Sequence, residues 1–188
     1  MQKRIVLLVF AIFTLTLFAS SFVPQAQGPS RSGATAAQAS PAASASCDLG
    51  MGTTVKTDYS SPRMKGRKIY GGLVPFGEVW RTGANSATTF VTSADVVVGG
   101  KTVPAGSYTL FTVPTAEKWT LIINKKTGEW GIPYKYEGDE LARVDMNVSP
   151  TSSPVENFTI ALASKGGSCN LNISWENTQA SVDISEKK

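Results

Sequence analysis

Between Thr53 and Ile184 the chain switches, roughly every 8–12 residues, from a short run of β-branched and aromatic residues to a Gly, Pro or Ser-Pro break. No segment in that interval keeps a helical period. A chain punctuated this way has no long amphipathic face to pack as a helix, so it must bury its apolar residues on strands. Thr53–Tyr59, Ala87–Ser93, Val96–Val98, Lys101–Val103, Ser107–Val113 and Trp119–Asn124 read as strands, with Gly99-Gly100 a two-residue hairpin turn. Ser107–Val113 carries bulky groups on both faces and is expected to be central. Leu141–Val148 reads as a further strand, with a short helix over Asp139–Val144 as its competitor. After a polar loop at Ser149–Pro154, the segments Val155–Ala163, Cys169–Trp175 and Gln179–Ile184 read as three antiparallel strands. Leu171, Ile173 and Trp175 alternate with Asn170, Asn172 and Ser174, one face dry and one wet. The pattern predicts an all-β fold of about nine or ten strands, an antiparallel β-sandwich, with a flattened β-barrel as the alternative.

What precedes the strands has a different composition. Lys3 and Arg4 lead an apolar run, Ile5 to Phe18, and Ala19-Ser20-Ser21 offers a small-residue cleavage site. The run is short for a membrane span, though an uncleaved anchor is the competing reading. Residues 1–21 are therefore expected to be a signal peptide, residues 22–46 an Ala/Ser-rich flexible linker, and residues 47–188 a single β-rich domain. The expected address is the periplasm or the outside of a bacterial cell, with no membrane span left after cleavage. Losing Lys3 and Arg4 lowers the formal charge from +4 to +2, because all 14 acidic residues lie beyond them. Nucleic acid is then not an expected partner. In an oxidising compartment Cys47 and Cys169, the only two cysteines, read as one disulfide closing nearly the whole domain.

The residue inventory excludes much familiar chemistry. The chain has no histidine, which removes Ser-His-Asp and Cys-His catalysis and imidazole zinc sites. Neither phosphate-loop glycine motif occurs. No metal and no cofactor is expected, an oxygen-only calcium site being the one metal alternative. Carboxylates remain, and Glu78, Glu176, Asp145 and Asp58 are the candidates for paired acid–base work; on strand ends such residues are ordinarily solvated surface.

The densest special chemistry lies in Gly71–Thr92, where Pro75, Trp80, Arg81, Gly83 and Asn85 crowd together. Trp80 reads as core, Gly83 as a bend with positive φ and Asn85 as a local backbone partner. Arg81 can either tie the loop down or face a carboxylate or phosphate. The basic run Arg63, Lys65, Arg67, Lys68 reads as a solvated turn or an anion contact. Trp119 belongs to a buried strand face, whereas Trp130 sits in a loop with Tyr134 and Tyr136 and could stack on a sugar. Glu176 is a possible ion-pair partner of Arg81. Arg81, Asn85, Trp130 and Glu176 are thus the candidate binding residues.

Four strings, Ser61–Phe90, Pro104–Pro114, Trp119–Lys125 and Trp175–Thr178, resemble in order the signature of an exported bacterial family called domain of unknown function 2911. The resemblance implies an exported β-rich protein and carries no activity, substrate or site residues with it. Three readings of function follow. The favoured one is a non-catalytic binding module for a small molecule, a glycan or an envelope partner. The others are a hydrolase or lyase using carboxylates and arginine, and a structural envelope module.

Overall fold

A computed structural model describes residues 39–188; the expected signal peptide and most of the expected linker lie outside the described residues. Nine strands are formed: β1 (Ala42–Gly50), β2 (Thr53–Ser60), β3 (Thr88–Thr92), β4 (Val96–Val98), β5 (Lys101–Val103), β6 (Gly106–Pro114), β7 (Trp119–Asn124), β8 (Glu140–Lys165) and β9 (Ser168–Glu186). They pair antiparallel in the order β1-β2-β3-β6-β7-β8-β9-β4-β5, a single sheet with β1 and β5 as its edges, so it does not close into a barrel. The sheet doubles over on β8. Residues up to Met146 pair with β7, whereas Asn147–Lys165 pair with β9. One core fills the fold between them, taking Val55, Phe90, Leu110 and Leu121 from one layer and Ile160, Ile173, Val182 and Val96 from the other. Ser107–Val113 is central as expected, with Tyr108 to Thr112 all buried.

Three segments differ from the sequence expectation, each for a physical reason. Ala42–Ser46 belong to β1 rather than to the linker; they are small, mostly solvent-facing residues held by backbone pairing to β2, so composition gives no sign of the strand. Cys169–Trp175 and Gln179–Ile184 are one strand, β9, not two joined by a turn. The irregularity lies at Glu176, whose φ is +54°. Buried positions run Cys169, Leu171, Ile173, Trp175 before it and Ala180, Val182, Ile184 after it, so one extra residue resets the alternation. Ser149–Pro154, expected as a loop, is the matching bulged stretch of β8. The helix alternative over Asp139–Val144 gives way to a single 3-10 turn, Glu137–Asp139, ahead of β8.

Cys47 of β1 and Cys169 of β9 form a disulfide, with Cα atoms 6.2 Å apart, which staples an edge strand across to the other layer. No helix among the described residues is long and apolar enough to cross a membrane.

Candidate functional site

The long connection from β2 to β3, residues 61–87, is the longest stretch without a strand among the described residues and is pinned by hydrogen bonds to the sheet. Ser61 Oγ donates to the carbonyl of Phe158 at 2.6 Å, and the amides of Met64 and Lys65 donate to the carbonyl and the carboxylate of Glu156. The Glu176 carboxylate accepts from the amides of Ile69 and Tyr70, at 3.3 and 3.4 Å. Trp80 exchanges both backbone hydrogen bonds with Thr112 of β6, at 2.8 and 2.9 Å. It takes over β6 pairing where β3 has ended, since β3 reaches only Leu110.

Trp80 anchors the connection, as expected. Its ring stacks on Trp175 with centroids 6.0 Å apart and meets Tyr70, Trp119 and Phe158 edge-on. Its indole N–H donates to the carbonyl of Gly83 at 3.1 Å. Gly83 has φ +154°, and a Cβ there would lie 3.0 Å from the Ser60 carbonyl, so the bend leaves no room for a side chain. Glycine at position 131 serves the site differently. An added Cβ would come within 2.9 Å of Arg81 Cβ, so Gly131 lets the aromatic loop lie directly against Arg81.

Over this aromatic floor opens a cavity of about 580 Å³. Arg63, Lys65, Arg67 and Arg81 stand in its wall; Leu73, Ile132 and the face of Trp80 supply apolar surface; no Asp or Glu lines it. None of the four cations makes a salt bridge among the described residues. Arg63 donates to Ser61, and Arg67 donates to the carbonyls of Arg63 and Met64, so both are oriented by backbone rather than neutralised. The Arg81 guanidinium lies 5.3 Å from the centroid of the Trp130 ring and donates to the carbonyl of Asn85. Partial burial holds its pKa below the ordinary guanidinium value, the mark of a cation short of solvent. Asn85, with φ +58°, also lines the cavity and donates through its side chain to Ser60 Oγ at 3.1 Å.

Three of the four candidate residues therefore gather at one place: Arg81 and Asn85 line the cavity, and Trp130, 61% exposed, covers the guanidinium. Glu176 does not. The expected Arg81–Glu176 ion pair is absent among the described residues, because the carboxylate is turned to the Ile69 and Tyr70 amides and borders a separate shallow depression with Arg67 and Lys68. Its charge and, more strongly, burial push the Tyr70 hydroxyl well above the ordinary tyrosine pKa. Of the other carboxylates, Asp58 pairs with Lys56 and Asp145 with Lys118 on exposed strand faces. In the sequence Arg63, Lys65 and Arg67 read as a solvated turn or an anion contact; the fold places them around the same cavity as Arg81. Leu73 and Ile132 were missed outright, and their placement outside any strand pattern was the available signal.

Fold and cavity together define an all-β domain with a cation-walled, aromatic-floored cleft beside a crossover connection. Residues 40–184 match the model of the family described as Protein of unknown function (DUF2911), and the chain belongs to that family. No curated protein and no solved structure matches the chain.

Proposed function

We propose that this protein is an exported, non-catalytic binding module whose ligand is a small organic anion held in the cleft beside Arg81. One observation carries the reading: Arg63, Lys65, Arg67 and Arg81 line a largely apolar cavity whose wall contains no carboxylate. Unpaired cations on an apolar surface attract carboxylate or phosphate, and a guanidinium offers two parallel donors for it. The cavity volume lies within the range of small-molecule sites. A neutral glycan fits less well, since one face of the exposed Trp130 is already covered by Arg81. Export is supported by the basic and apolar start of the sequence and by a disulfide, which persists where the compartment is oxidising.

The test is titration of the protein with a panel of aromatic and aliphatic carboxylates and phosphomonoesters, followed by tryptophan fluorescence. Uncharged amides and alcohols of the same shapes serve as controls. Anions are expected to bind and their neutral counterparts not, with binding lost in Arg81→Ala and weakened in Arg63→Ala. Equal binding of neutral and charged members, or none by any anion, would sink the reading.

A further inference from the structure

We infer that the ligand is a zwitterion of extended shape, a short apolar peptide with free termini, lying across Trp80 with its carboxylate toward Arg81 and its ammonium toward Glu78 and Glu137. The inference rests on the anion-binding reading above and adds the second end of the ligand. It comes from a neighbouring cavity of about 420 Å³. That cavity shares Leu73, Val74, Trp80 and Ile132 with the first, so the two adjoin over a common apolar wall, and we take them as the two halves of one trough.

Charge divides between the halves without mixing. Every Lys and Arg in the trough wall stands in the first half, and both carboxylates, Glu78 and Glu137, stand in the second. Neither carboxylate makes a salt bridge among the described residues, and Arg143, which feels the charge of Glu137, is itself held by Glu140 through two hydrogen bonds. The middle is apolar and partly open, with Leu73 48% and Ile132 43% exposed.

Each alternative occupant leaves one end wrong. A fatty anion would bring its tail against two carboxylates, which stay charged only if solvated or paired. A dianion would meet repulsion at Glu78 and Glu137, and a neutral sugar would cover charges at both ends without pairing them. A peptide with free termini matches both charged ends, and its side chains suit the middle. Charge complementarity of this kind sets orientation and partner choice more than raw affinity.

Equilibrium dialysis of the full chain, read by mass spectrometry, tests this with a pool of tripeptides to pentapeptides built from Ala, Leu and Val. The same pool is used N-acetylated and, separately, C-amidated. Free peptides are expected to bind; acetylation should weaken binding by about tenfold, the scale of one lost charge contact. In the Glu78→Gln/Glu137→Gln variant, free and acetylated pools should bind alike. Amidation, or Arg81→Ala, should weaken binding at least as much. Acetylated and free pools binding equally to the unaltered protein would overturn the zwitterion while leaving anion binding standing. So would a failure of all three pools where simple carboxylates bind. Amidated peptide binding as well as free, with no effect of Arg81→Ala, would overturn both readings. Thermal melts matching the unaltered protein establish that each variant is folded.

Discussion

The guanidinium of Arg81 rests 5.3 Å from the centre of the Trp130 ring, and nothing acidic faces it from the cavity wall. Such a contact at a solvent-exposed ring is worth about 0.5–1 kcal/mol. Arg81→Ala should therefore lower stability by about 1 kcal/mol or less while removing anion binding. Arg81→Lys should keep the fold and recover only part of the affinity, because an ammonium cannot hold a carboxylate by two parallel donors. A thermal melt and a binding isotherm on the same two variants separate these effects. A loss of several kcal/mol in Arg81→Ala would mark the residue as structural.

Glu176 has the opposite profile. Its carboxylate clasps two backbone amides of the crossover from a bulge in β9, and it does not line the Arg81 cavity. Glu176→Gln should cost about 1–2 kcal/mol, the scale of hydrogen bonds to a charged acceptor at these long distances. Ligand affinity should stay within about twofold, a change under ~0.5 kcal/mol. Denaturant titration gives the first number and the binding isotherm the second.

Tyr70 sets an upper limit on working pH. Burial, reinforced by the Glu176 charge, keeps its proton on in the folded chain well past the pH where an exposed tyrosine ionises. Above the ordinary value of 10.0 the unfolded chain loses that proton while the folded chain keeps it, so stability falls as pH rises from there. Tyr134, raised by burial and by its hydrogen bond to Glu140, adds to the same slope. The Tyr70 hydroxyl has no hydrogen-bond partner among the described residues. Tyr70→Phe should thus leave stability at neutral pH unchanged or raise it by up to about 1 kcal/mol, and should flatten the alkaline loss. Melting temperatures from pH 7 to pH 12 are the check.

Cys47 and Cys169 are 122 residues apart in sequence, and the bond between them joins β1 to β9. Replacing both by Ser should lower stability by about 2–4 kcal/mol, chiefly through the unfolded chain. In guanidinium titrations the reduced unaltered protein should match the double variant, and the oxidised protein should exceed both by that amount. A change below about 1 kcal/mol would mean that β1 is held by its pairing to β2 alone.

How far the sequence could be read depended on what each element buries. Strands with a dry face, such as Trp119–Asn124 or Val96–Val98, declare themselves through their side chains and were placed with correct bounds. The first half of β1 buries almost nothing, and the break in β9 is a change of alternation that looks in sequence like a turn. The site was half legible for a related reason. Arg81 and Trp130 are conspicuous as single residues; Arg81 lines the cavity and Trp130 lies against its guanidinium. That Arg63, Lys65 and Arg67 join them while Glu176 does not depends on the path of the crossover. That path is fixed by hydrogen bonds to Glu156, Glu176 and Thr112, all more than 30 positions away in sequence.

The span of the disulfide has one more consequence. A protease that cuts any peptide bond between Cys47 and Cys169 produces two fragments that stay covalently tied, with the nine strands still able to pair. Nicks at exposed points such as the 125–130 loop should go unseen on a non-reducing gel and appear as two bands only after reduction. The bond thus holds a severed backbone together as well as opposing unfolding.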